Sequence, residues 1–179
     1  MKIFAIDPSF TGTGVSLTID GEIIDCRQFE KVLTDSVYQI NVGLAAARMV
    51  AANFKDFIEE YYDASSEDPT YFVIEYPILS TRSGAYLGLI TSKLDSMLGK
   101  YKNARVFYVP AIACKSYTKT NSKTDLVNWV KQNIQNSKGM FKGHDQATAL
   151  VLTEICKCTL NKTYKHTYFE KDGKETKRS

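Results

Sequence analysis

Residues 2–17 read KIFAIDPSFTGTGVSL, and the fold turns on how this stretch is read. Ile3 to Ile6 form a short apolar, β-favouring run that ends on Asp7. Pro8, small hydroxyl residues, Gly12 and Gly14 come next, and apolar residues resume at Val15 and Leu17. This is the pattern of a buried strand, a tight turn and a second strand. Asp7 then stands at the end of an apolar strand, where an uncompensated carboxylate is costly to bury. Two compensations fit, a metal ion or an Asx-type turn at Asp7 and Pro8. Two later stretches repeat the arrangement, which favours the metal.

Outward from this start the chain alternates strand and helix. Strands are expected at 14–18 and 22–29, joined by Asp20-Gly21, a strong hairpin turn. Residues 37–62 read as a long helix, with Leu44, Ala47, Val50, Ala51, Phe54, Phe57 and Ile58 at helical spacing. A polar loop, 63–69, leads into the apolar run TYFVIE at 70–75, which again ends in a carboxylate, Glu75, before Pro77 stops it. A second helix is expected at 83–98, a buried strand at 105–109, and a helix at 123–134 capped by Ser122. After a loop at 139–143 comes a last helix, 144–158, which opens on His144 and Asp145. The pattern predicts an α/β fold, with a three-strand antiparallel meander extended by strands added through helical crossovers. One domain spans 1–160, followed by a basic, flexible tail at 161–179.

A chain of 179 residues, 44% hydrophobic, suffices for one domain with a real core. No apolar run approaches the ~20 residues that cross a bilayer, and because the strand pattern starts at Lys2 no leader peptide is expected. The four cysteines form no CxxC pair and there are only two histidines, so a zinc site is not suggested. Free thiols in a reducing cytoplasm are the expectation. The net charge of +3 hides an asymmetry. Residues 1–99 carry seven Lys/Arg against fourteen Asp/Glu, whereas residues 100–142 carry nine basic residues against Asp125 alone. A basic block on an otherwise acidic chain favours a polyanionic partner over a merely solvated face.

Three carboxylates fall at comparable places: Asp7 and Glu75 at strand ends, Asp145 at a helix start. If the two strands are neighbours, the helix N-terminus can bring Asp145 against both. Carboxylates converging in this way repel one another unless cations neutralise them. Hard oxygen ligands without a Cys or His cluster point to Mg²⁺ or Mn²⁺.

The residues resemble the RuvC-type Holliday-junction resolvases of the ribonuclease H-like superfamily. The resemblance is carried by IFAIDPSFTGTGVSL at 3–17, YFVIEYPILSTRSGAYLGL at 71–89, VFYVPAIACKSYTKTNSKTDLVNWV at 106–130 and GHDQATALVLTE at 143–154. Any one block is weak, but the four in this order span most of the chain. The resemblance implies a ribonuclease H-like mixed sheet and metal ligation by Asp7, Glu75 and Asp145. It also implies a further acidic position three residues along the last helix, which is Thr148 here. Either Asp145 does both jobs, or His144 or a water fills the gap. The turn after Asp7 is also about two residues shorter than in bacterial members, as suits a divergent, viral-type sequence. Lys115 and Lys123 match the basic positions that flank the scissile phosphate.

What the resemblance implies is two-metal phosphodiester hydrolysis of four-way DNA junctions, with Mg²⁺ as cofactor and Mn²⁺ able to substitute. Lys119 and Lys131 are expected to track phosphates, and Tyr76, beside Glu75, to stack on an opened base. A homodimer would match the two-fold symmetry of a junction. The helix at 83–98 could supply its contact, with Gly84, Ala85 and Gly88 allowing close approach and Leu87, Ile90 and Leu94 offering apolar area. The competing readings are a related RNA-processing nuclease and a non-cleaving nucleic-acid-binding module. An ATPase of the actin or sugar-kinase group needs two such domains, and the chain supplies one.

Overall fold

The computed structural model describes residues 1–9, 12–29, 40–76, 82–163 and 169–170. Its elements run β1 (Lys2–Asp7), β2 (Thr13–Ile19), β3 (Glu22–Phe29), α1 (Ile40–Glu59), β4 (Thr70–Tyr76), α2 (Arg82–Leu98), β5 (Ala104–Pro110), α3 (Ala111–Thr118), α4 (Lys123–Asn133), α5 (His144–Leu160) and β6 (Phe169–Glu170). One sheet has the order β3-β2-β1-β4-β5-β6. The first three strands are the expected antiparallel meander, and β4 and β5 add in parallel. Asp20 and Gly21 both take positive φ, 52° and 91°, as a hairpin turn of the predicted kind requires.

Alternation along the strands sorts side chains onto two faces. Phe4, Ile6, Val15, Leu17, Phe72 and Ile74 pack against α1 and α2. Ile3, Ala5, Val73, Phe107 and Val109 pack against α3, α4 and α5. Ile90 and Leu94 of α2 are completely buried in the first of these layers. An intersubunit contact through them is therefore corrected: their apolar area is spent on the core, because α1 and the sheet lie on the same side of α2 as the stripe.

Helix α3 had no clear sequence signal. It is eight residues long, too short for periodicity to show, and starts directly after Pro110. The helix start at 37–39, the loop at 77–79 and most of the tail lie outside the described residues. Within the tail, Phe169 and Glu170 pair antiparallel with Tyr108 and Phe107. No helix among the described residues is long and apolar enough to cross a membrane.

All four cysteines are free. Burial pushes the Cys26 and Cys156 thiols up to about 12, and Cys114 is also pushed well up. The thiolate is the reactive form, so these three are inert at ordinary pH. Iodoacetamide at about pH 8 should rapidly alkylate one thiol per native chain, the half-buried Cys158, and all four in denaturant. Rapid loss of more than one native thiol would show that the core opens.

Candidate active site

Asp7 and Glu75 meet because β1 and β4 are parallel neighbours in register, Ile6 beside Ile74. The next residue of each strand projects to the α5 side of the sheet. On its other side, Asp7 lies opposite Gly14 of β2. A side chain on Gly14 would collide with the Asp145 carbonyl group and the Gln146 nitrogen, so the start of α5 lies directly over this glycine. The lack of a Cβ is what lets the helix N-terminus descend onto the sheet beside Asp7.

The helix start is also pinned. Gln146 Oε1 accepts from the backbone N–H groups of Lys142 and Gly143 at 3.0 and 3.2 Å, one half of a capping box. Its Nε2 donates to the Cys26 carbonyl of β3 at 3.2 Å. Asp7, His144 and Asp145 are thereby gathered, with one ligand atom of each within 4.8 Å of the others. Glu75 stands beside this trio and is hydrogen-bonded to Asp7.

Burial drives the electrostatics. Asp7 is pushed well above the ordinary carboxylate range, first by desolvation and then by Glu75 and Asp145, while Thr148 pulls the other way. Glu75 is also raised by burial, against the opposing pull of its Asp7 hydrogen bond, His144 and Lys123. Burial and mutual repulsion push both acids toward the protonated form, Asp7 the more strongly. Thr148, at the position where the resemblance implies an acid, is buried; its hydroxyl donates to the His144 carbonyl at 3.1 Å and lies against Asp7.

The site opens into a cleft of about 220 Å³ between α3, α4 and the start of α5. Glu75, Cys114, Lys115, Asn121, Lys123, His144 and Thr148 are among its lining residues. Lys115 arrives on α3, and Lys123 opens α4 behind the Ser122–Asp125 capping box. Lys119, in the left-handed conformation that ends α3, and Lys131, in the last turn of α4, are exposed and do not line the cleft. Tyr76 alternates to the opposite face from Glu75. The residue is 37% exposed, and its ring stands edge-on to Tyr108, centroids 6.0 Å apart.

Sequence reasoning missed Gln146, the use of Gly14, and α3. The glutamine three residues after Gly143 was the one available signal, as half of a capping box. Three carboxylates and an imidazole, two of the acids raised by burial and by one another's charge, form a donor set that fits a hard divalent cation.

No family model matches the sequence, and no curated protein matches it. Solved structures do match. A structure of T. thermophilus RuvC in complex with Holliday junction substrate is similar at a TM-score of 0.66 and 12% identity, covering 91% of this chain and 97% of that one. A further Thermus thermophilus RuvC structure is similar at a TM-score of 0.56 and 14% identity, covering 85% and 90%. The chain has the RuvC-type, ribonuclease H-like fold.

Proposed function

We propose that the chain is a divalent-metal-dependent DNA endonuclease that resolves four-way junctions by paired phosphodiester hydrolysis. The observation that carries this reading is the meeting of Asp7, Glu75 and Asp145, with His144, at one end of a lysine-bordered cleft. The fold shared with a protein solved on a Holliday junction supports the substrate class. Asp7, Glu75, Asp145 and His144 would hold Mg²⁺ or Mn²⁺, two ions in this proposal. When bound, such ions supply Lewis-acid stabilisation of the phosphate and an activated water. The protein's own groups do the rest. Thr148 and the Glu75 contact orient Asp7, the pinned α5 start holds Asp145, and Lys115 and Lys123 offset charge on a phosphate in the cleft. Lys119 and Lys131 lie outward along the same basic segment, suited to tracking the backbone. Tyr76 is assigned to stacking on a base opened at the crossover. A homodimer, acting in the cytoplasm, would supply the two symmetric cuts through a surface other than the buried α2 stripe.

The test is incubation of a four-way junction, a linear duplex and an RNA hairpin in parallel, with and without Mg²⁺. Junction cleavage that needs Mg²⁺ is expected. Preferential cutting of the hairpin would replace the reading with an RNA-processing nuclease, and junction binding without cutting would replace it with a non-cleaving module.

The lysines separate by what they lose. Lys115→Ala and Lys123→Ala should lower the single-turnover rate by about 10²-fold, with a smaller loss of binding. Lys119→Ala and Lys131→Ala should weaken binding and reduce the salt slope by about one, leaving the rate at saturation unchanged. Equal losses of rate and binding at all four positions would make them one tracking surface.

A further inference from the structure

The sheet register places four residues in one row on the α5 side, Gln28 of β3, Gly14 of β2, Asp7 of β1 and Glu75 of β4. The start of α5 lies over the bare Gly14, so Asp145 is flanked by Asp7 on one side and Gln28 on the other. Adjacent strands are ~4.8 Å apart, which puts Gln28 and Asp7 about 10 Å from each other across the glycine.

The two oxygens of Asp145 have different neighbours. Oδ1 faces His144 Nδ1 at 3.4 Å, and Oδ2 faces Gln28 Nε2 at 3.5 Å. The Gln28 carboxamide reaches this position through a slot between two glycines. A Cβ on Gly12 would collide with Gln28 Nε2, and one on Gly143 would come within 2.9 Å of Gln28 Oε1. Two glycines, from the turn after β1 and the loop before α5, thus leave room for one exposed side chain against one carboxylate. An N–H directed at Oδ2 keeps that oxygen turned toward β3 and leaves Oδ1 on the side of His144. Partners of this kind fix the orientation of metal-ligating groups.

We propose that Gln28 is the positioning residue of Asp145, holding its carboxylate in the orientation that completes the cation site. This rests on the reading of Asp7, His144 and Asp145 as metal ligands. The role is carried by an amide N–H on an edge strand, far in sequence from every other member of the site.

The test is calorimetric titration of the metal-free full chain with Mn²⁺. Gln28→Ala should weaken Mn²⁺ binding about tenfold, while the melting temperature of the metal-free chain moves by no more than ~2 °C, as for an exposed side chain. Gln28→Met, which keeps the bulk but lacks the donor, should match Gln28→Ala. Gly143→Ala, which fills the slot, should weaken binding in the parent chain and have no further effect on top of Gln28→Ala. Wild-type affinity in Gln28→Ala overturns the proposal alone. So does recovery in Gln28→Met, which would make Gln28 a space-filler, or a loss confined to DNA binding. Failure of the wild-type chain to bind Mn²⁺ overturns the metal reading itself, and this proposal with it.

Discussion

Asp7→Asn should raise the melting temperature of the metal-free chain by a few degrees, remove the additional rise that Mn²⁺ gives the wild type, and lower Mg²⁺-dependent cleavage about a thousandfold or more. The stabilisation follows from the cost of the buried acid. The Asp7 carboxyl is raised well above 3.8 by burial, then by Glu75 and Asp145, and Glu75 is raised as well. Between the unfolded and folded titration ranges the folded chain holds more protons, so this pair costs stability increasingly as pH rises from about 4. An amide at position 7 removes that cost, and the stability gap between variant and wild type should widen from about pH 5 to about pH 7. The catalytic loss follows because bound ions contribute several kcal/mol to the transition state and ~1.4 kcal/mol is tenfold in rate. Melting curves at the two pH values, with and without Mn²⁺, check the first half. A variant less stable than wild type at neutral pH would show that Asp7 is a paired structural acid.

Gly14→Ala should be the most damaging small substitution in the site. The added methyl group meets backbone atoms of Asp145 and Gln146 rather than a flexible side-chain end. Neither β2 nor the pinned start of α5 can yield without breaking strand pairing or the Gln146 bonds. Overpacking of this kind costs about 1–3 kcal/mol, and each kcal/mol lowers the melting temperature by ~2–4 °C in a chain of this size. Asp145 should be displaced from Asp7 as the helix rides up, so Mn²⁺ affinity falls together with the melting temperature. Wild-type values of both would show that α5 does not rest on Gly14.

These two positions mark where the sequence is legible and where it is not. Asp7 and Glu75 can be read because each ends an apolar run, a local pattern that strand alternation and desolvation make meaningful. The helix opening on His144 and Asp145 can be read for a different reason, the apolar run from Ala147 that follows a glycine-bounded loop. Gly14 reads only as a turn glycine, since its use depends on a contact with residues 131 and 132 positions later, and no local pattern announces a helix resting on a strand. Gln28 lies on an edge strand of alternating exposure and looks like part of a solvated face. Its relation to Asp145 exists only once β3, β2 and α5 are assembled. Lys115 is legible only through the family resemblance, because the helix that delivers it is too short to show a period. The apolar stripe of α2 misled in the opposite direction. Leu87, Ile90 and Leu94 have the spacing of an interface or of a core, and only the position of α1 decides between them.

In the proposed function, the site formed by Asp7, Glu75, His144 and Asp145 cuts DNA at a crossover. Its most direct test is single-turnover incubation of a strand-labelled four-way junction with excess protein and Mg²⁺. Paired nicks in opposing strands are expected from the wild-type chain, none in EDTA, and none from Asp7→Asn although that variant still binds the junction. A wild-type chain that binds the junction and leaves every strand intact in both Mg²⁺ and Mn²⁺, or an Asp7→Asn chain that cuts at the wild-type rate, would contradict it.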